Sequence, residues 1–200
     1  MTTPIYIMTL VGVVAFAVSG VIEARRKQMD LVGISAAAFL TAFGGGTVRD
    51  ILLGRYPIFW VTEQSYVAFV LVIAVVAFFV SRRMTLTPDA IAIPDAIGLG
   101  VFSATGTQIA ADLNVPVLIA IVMGVITGSV GGVLRDVVCN EIPAIFARTQ
   151  LYATCAALGA IVYLASRAIG ADTQTGLIAG SVATIALRLA AIRLNLRLPA

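Results

Sequence analysis

The chain has 200 residues, 60% of them hydrophobic and only 12% charged, with a mean hydropathy of +1.04. Soluble domains carry about 45–50% apolar and about 25% charged residues, so this composition excludes a soluble globular protein and describes an integral membrane protein. The net charge of +3 comes from basic residues in short segments between apolar runs, a topology signal and not a nucleic-acid footprint; the lack of histidine excludes His-based acid–base chemistry, metal ligation and proton relays.

A membrane-spanning helix needs about 20 mostly apolar residues. Seven stretches qualify: Pro4–Ile22, Leu31–Leu53, Val61–Val80, Pro94–Ala111, Pro116–Cys139, Thr149–Ser166 and Thr175–Leu194. The first, in MTTPIYIMTLVGVV, has no basic residue before it and Arg25, Arg26 and Lys27 after it, so it reads as a retained span and not as a cleaved leader. The second ends in FGGGTVRDILLGRYP, and the aromatic residues that follow, Tyr56, Phe59 and Trp60, read as an interfacial belt. Asp89 and Asp95, in TPDAIAIPDAIG, read as caps of the fourth span. The fifth span ends in SVGGVLRDVVCNEIP. Cys139 and Cys155, in apolar company, read as small buried residues, with no metal site and no disulfide. The seventh span holds Arg188, at a depth where Asp136 or Asp95 is the expected partner.

Eight basic residues fall on one side (Arg25, Arg26, Lys27, Arg82, Arg83, Arg148, Arg193 and Arg197) and two on the other (Arg55 and Arg167). The positive-inside rule then predicts an external N-terminus and a cytoplasmic C-terminus. The cluster Arg25, Arg26, Lys27, Arg82 and Arg83 also suits anionic lipid headgroups. Three arginines remain inside spans: Arg49, Arg135 and Arg188.

Sliding the chain on itself by 86 residues aligns Gly12 with Gly98, Phe16 with Phe102, Gly20 with Gly106, Thr41 with Thr127, Gly45–Gly46 with Gly131–Gly132, Arg49–Asp50 with Arg135–Asp136, Pro57 with Pro143 and Tyr66 with Tyr152. Paired GGxxRD motifs, each with a proline seven residues on, are a repeat and not a bias of composition. Each copy holds three spans, an odd number, so the second enters the bilayer from the opposite side. The predicted fold is an all-α integral membrane protein: one membrane domain over residues 1–200, comprising inverted repeats over 1–86 and 87–172 and a seventh span with a tail over 173–200. Inverted repeats place ion and substrate sites near the bilayer midplane, between discontinuous helices.

The glycines Gly44, Gly45, Gly46, Gly131 and Gly132 permit a break or kink that bares backbone carbonyls, and Thr41, Thr127 and Ser129 add hydroxyl oxygens nearby. Close helix packing is the competing use of such glycines. Buried ionisable residues cost about 2.5–3.5 kcal/mol on insertion scales and mark function by default. Helix neighbours point about 100° apart, so Arg49 and Asp50, and Arg135 and Asp136, are expected to find partners on other helices or in water, with one set at each mouth of a pathway.

Three plus three inverted spans plus one, with GGGTVRD…P matched by VGGVLRD…P, resemble the trimeric intracellular cation (TRIC) channels, most closely their prokaryotic branch, which also carries a glycine-transporter-like label. The resemblance implies a homotrimer in a bacterial or archaeal inner membrane. It further implies one pore per subunit between kinked second and fifth helices, passing monovalent cations, chiefly K⁺, with Na⁺ as the second candidate. The eukaryotic members bind a phosphoinositide through a lysine on the second helix; here the only lysine is Lys27. The alternative is a secondary transporter of a small solute such as glycine. Neither reading involves an enzyme, a cofactor or nucleic acid.

Overall fold

The structure, a computed structural model, describes residues 3–81, 87–146 and 151–196. Among them there are helices and turns and no strand. In chain order the helices are α1 (Thr3–Arg26), α2 (Leu31–Leu52), α3 (Phe59–Thr62), α4 (Gln64–Ser81), a 3₁₀ turn (Pro88–Ile91), α5 (Ala92–Asp112), α6 (Val117–Val138), α7 (Ala153–Ala168) and α8 (Thr173–Arg193). Five are long and apolar enough to cross a membrane: α1, α2, α5 with the turn before it, α6 and α8. Two more, Gln64–Val80 and α7, are apolar but shorter. The expected third span is divided at Glu63, which separates the one-turn α3 from α4. The expected sixth begins at Ala153, and residues 147–150 lie outside the described set.

Helix ends follow local chemistry. Asp30 and Asp172 cap α2 and α8, accepting from the backbone N–H of Gly33 (2.8 Å) and Thr175 (2.9 Å). The last turns of α2 and α6 close alike. Gly54 (φ 63°) and Asn140 (φ 54°) take the left-handed conformation, and the next N–H, of Arg55 or Glu141, donates 2.8 Å back to the carbonyl of Asp50 or Asp136. The capping expected of Asp89 and Asp95 fails: neither Thr87 nor Ile91, the residues at the two N-cap positions there, makes a side-chain cap, and Asp95 points into the protein instead.

α5 is the central post, buried along most of its length and in contact with α1, α6, α7 and α8. The seams are built of small residues. Added carbon at Gly20 would strike Ala37, Ala38 and Thr41 of α2; at Gly106 it would strike Thr127 and Met123 of α6. Without a hydrophobic force between helices in lipid, such close backbone approach is what holds them together. α4 lies outside against α1 and α2, with Phe69, Val72, Val76 and Phe79 exposed to the surroundings. Cys139 and Cys155 are free and buried.

Candidate permeation site

The doubled glycines stand where α2 crosses α6. A Cβ on Gly45 would run into the carbonyl of Thr127, and a Cβ on Gly131 would run into the carbonyl of Thr41, the same contact made from either side. α2 and α6 are each helical without interruption through this crossing. The expected break, with bare carbonyls at half-helix ends, is therefore corrected: glycine costs a helix roughly 0.5–1 kcal/mol, and intimate backbone packing offsets it. The hydroxyls follow suit. Thr41, Thr127 and Ser129 each donate 2.6 Å to the carbonyl four residues earlier, of Ala37, Met123 and Val125. Gly44 faces the tip of Leu134, Gly46 faces the ring of Phe59, and Gly132 faces the hydroxyl of Tyr152.

One turn beyond the crossing each arginine does bond the aspartate next to it, against expectation. Arg49 Nε and Nη2 reach Asp50 Oδ1 at 2.9 and 2.8 Å; Arg135 Nε and Nη2 reach Asp136 Oδ1 at 2.8 Å each. Cβ directions diverge, but the long arginine stem folds back around the last helical turn. The other carboxylate oxygen ties down the following loop: Asp50 Oδ2 accepts from Phe59 N–H and Asp136 Oδ2 from Ala144 N–H, both at 3.0 Å. All four side chains are buried.

Around this shared core the two sites differ. Arg55 also donates to Asp50 Oδ1 (2.9 Å), so two guanidiniums share one carboxylate. Arg49 lies over the Phe59 ring, 5.5 Å from its centroid. Beside it is a cavity of about 280 Å³, lined by Thr9, Arg49, Arg55, Phe102, Thr105 and Gln108 among others. Asp112 on its wall accepts from the Gln108 amide, whose own oxygen is buried without a partner among the described residues. At the second site one guanidinium meets two carboxylates. Arg135 Nη1 donates to Asp95 Oδ1 (2.7 Å) and to Ser19 Oγ (2.5 Å) besides its bond to Asp136.

Arg188 makes no ion pair with Asp95 or Asp136. Its Nη1 donates 3.0 Å to the Leu151 carbonyl and its guanidinium lies 4.8 Å from the Tyr152 ring centroid, because Asp95 is already taken by Arg135. Of the basic cluster, Arg26 pairs with Glu23 (2.6 Å), Lys27 with Glu141 (2.5 Å), and Arg25 lies over Phe78; Arg82 and Arg83, like Arg148 and Arg197, fall outside the described residues. The aromatic belt is corrected in part: Tyr56 is exposed, but Phe59 is buried under Arg49 and the Trp60 indole donates to Thr47 (2.9 Å).

Sequence reasoning missed Thr9, Ser19, Thr105 and Gln108 at these sites. They are polar residues inside apolar spans, and Ser19 and Thr105 are 86 residues apart, so the repeat offset would have pointed to those two.

The sequence model of a family described as glycine transporter matches residues 6–82 and again 92–168. The chain is 40% identical over 199 residues to a UPF0126 membrane protein of Vibrio cholerae, covering 99% of this chain and 83% of that one. It is 39% identical over 197 residues to the inner membrane protein YadS of Escherichia coli, covering 98% and 95%. Its fold matches the crystal structure of the TRIC trimeric intracellular cation channel orthologue from Rhodobacter sphaeroides with a TM-score of 0.91 and 38% identity, over 98% of this chain and all of that one. The chain belongs to this bacterial family, which bears the glycine-transporter name and has the prokaryotic TRIC fold.

Proposed function

We propose that the protein is a cation channel of the inner membrane, passing K⁺ through a path inside each subunit of a homotrimer. In this reading α1, α2, α4 and α5, α6, α7 are the two inverted repeats and α8 is the added span, with the N-terminus outside. The path starts in the cavity at Arg49 and skirts the α2–α6 crossing toward Arg135. The observation that carries the reading is that cavity, where Thr9, Arg49, Thr105 and Gln108 are buried within membrane-spanning helices and Asp112 stands exposed at the end of α5 on its wall. In hydrocarbon, buried polar groups without a role are costly and rare. The solved relative of 38% identity, a trimeric cation channel in its published name, supports both the permeant class and the assembly.

Each Arg–Asp pair is neutral in itself; Arg55 adds a positive charge at the first site, where Asp112 also lines the cavity, and Asp95 adds a negative one at the second, so neither arginine faces a cation alone. Hydroxyl and amide oxygens along α1 and α5 then solvate the ion. The test is reconstitution of the purified protein into planar bilayers under asymmetric KCl. Unitary currents reversing near the K⁺ equilibrium potential are expected. A carrier of small solutes would instead give slow saturable uptake without unitary events, and reversal near the Cl⁻ potential would overturn cation selectivity.

A further inference from the structure

The 86-residue offset carries Arg135, Asp95, Ser19 and Tyr152 onto Arg49, Thr9, Thr105 and Tyr66. In the second half the four form a closed set. Arg135 Nη1 donates to Asp95 Oδ1 at 2.7 Å and to Ser19 Oγ at 2.5 Å, and Tyr152 OH donates to the same aspartate oxygen at 3.3 Å. In the first half a threonine takes the position of that aspartate. Arg49 commits Nε and Nη2 to Asp50, and its Nη1 has no hydrogen bond among the described residues. The Tyr66 hydroxyl is also buried without a partner among them. Arg49, Thr9 and Thr105 all line the cavity of about 280 Å³, which therefore lies where the second half holds a carboxylate.

Charge points the same way. The second site pairs one guanidinium with two carboxylates, Asp95 and Asp136; the first pairs two guanidiniums, Arg49 and Arg55, with Asp50 alone. One monoanion balances the first. Asp112 also lines the cavity, but it is exposed at the end of α5, where water screens it, and it already accepts from the Gln108 amide. The cavity is several times the share of liquid volume that one water takes, about 30 Å³, and formate and acetate are only a few atoms larger than water.

We propose that this cavity binds a small monocarboxylate, of the size of formate or acetate, whose oxygens stand to Arg49 as the Asp95 side chain stands to Arg135. Arg49 Nη1 donates to the anion, Arg55 supplies the second positive charge, and Thr105 steadies Arg49 as Ser19 steadies Arg135. Hydrogen bonds from a guanidinium to a carboxylate are short and directional, which favours a carboxylate over a spherical halide. The site shares the cavity of the channel reading above, but binding does not depend on conduction.

The test is the melting temperature of the purified protein in detergent at neutral pH, with sodium acetate replacing sodium chloride at constant ionic strength. Acetate is expected to raise it saturably, by about 3–5 °C at tenfold over the dissociation constant. No shift on replacement overturns the site. T9D places a carboxylate of the chain's own opposite Arg49 and is expected to lose the acetate response. Equal responses of T9D and parent would be a salt effect on the whole surface and overturn the site. If T9D does not fold, R55Q decides: acetate affinity lower by roughly tenfold supports the site, and unchanged affinity overturns it. Glycine carries the same carboxylate and adds an ammonium, which suits Asp112 and the Gln108 oxygen on the same wall. A response to glycine with none to acetate overturns the simple monocarboxylate. A parent protein without unitary current in bilayers overturns the channel reading, and the acetate titration still decides this site.

Discussion

Phe16 stacks on Phe102, its own counterpart 86 residues along the chain, with ring centroids 5.4 Å apart and planes at 23°. Gly12 faces Phe102 and Gly98 faces Phe16, so the contact between α1 and α5 is matched residue for residue across the pair. Phe16 is fully buried, whereas Phe102 also forms a wall of the cavity beside Arg49. Phe16→Ala and Phe102→Ala should each cost about 3–5 kcal/mol, the range for deleting a buried aromatic ring. Only Phe102→Ala should also change unitary conductance, because it enlarges the cavity. Thermal unfolding in detergent and single-channel recording separate the two; equal conductance in both variants would remove Phe102 from the path.

The α2–α6 crossing makes a graded prediction. A methyl group on Gly45 or Gly131 meets backbone carbonyl atoms, which cannot move aside without separating the helices. On Gly44 the nearest atom is the end of the Leu134 side chain, which has other rotamers. Gly45→Ala and Gly131→Ala should each lose about 1–3 kcal/mol through overpacking, and Gly44→Ala clearly less. The ranking of melting temperatures checks this, and a Gly44→Ala as damaging as Gly45→Ala would mean the close approach is misplaced.

This crossing shows what was legible in the sequence and what was not. GGxxRD, twice at a fixed offset, announced two related helices with small residues and charges at matched depth, and α2 and α6 carry them where expected. The conformational consequence was not legible, because glycine permits a break and a close contact alike, and only the partner helix decides between them. Ion-pair partners were misjudged for a related reason. The rule that helix neighbours point apart governs Cβ atoms, while Arg49 and Arg135 reach with a stem long enough to round the helix end. Asp95 and Arg135 are 40 residues apart, and nothing in either segment marks them as partners. Once they pair, Arg188 is left to the Leu151 carbonyl and the Tyr152 ring.

The unequal sharing of carboxylates gives opposite weights to two matched aspartates. Asp50 serves both Arg49 and Arg55 and holds the Phe59 amide; in Asp50→Asn two guanidiniums lose their counter-charge. In Asp136→Asn, Arg135 still has Asp95. Removing one partner of a buried pair costs about 3–5 kcal/mol when nothing replaces it. Asp50→Asn should therefore approach that loss and Asp136→Asn fall well below it. Asp50→Asn should also lower cation conductance, since it leaves the cavity beside Arg49 more positive. Equal destabilisation by the two variants in thermal unfolding would count against Asp95 as the second counter-ion of Arg135.

Outside the spans, Lys27 after α1 meets Glu141 after α6 at 2.5 Å, both solvent-exposed. The hydrogen bond and charge of Lys27 hold the Glu141 carboxyl below the usual range, and the same bond to Glu141 raises the Lys27 ammonium above its usual value. The signs define a window. The Glu141 contribution is present above the ordinary carboxylate pKa and is lost as pH falls through the lowered one. The Lys27 contribution is present below the ordinary lysine pKa and is lost as pH rises through the raised one. The bridge thus stands across the neutral range and fails at both extremes, and salt screens it because both groups face water. Glu141→Gln should lower the melting temperature slightly at neutral pH and low ionic strength. The difference from the parent should vanish below the carboxylate range and in high salt. Melting curves over pH and salt read this directly; a difference that persists at acid pH would show that Glu141 acts through something other than its charge.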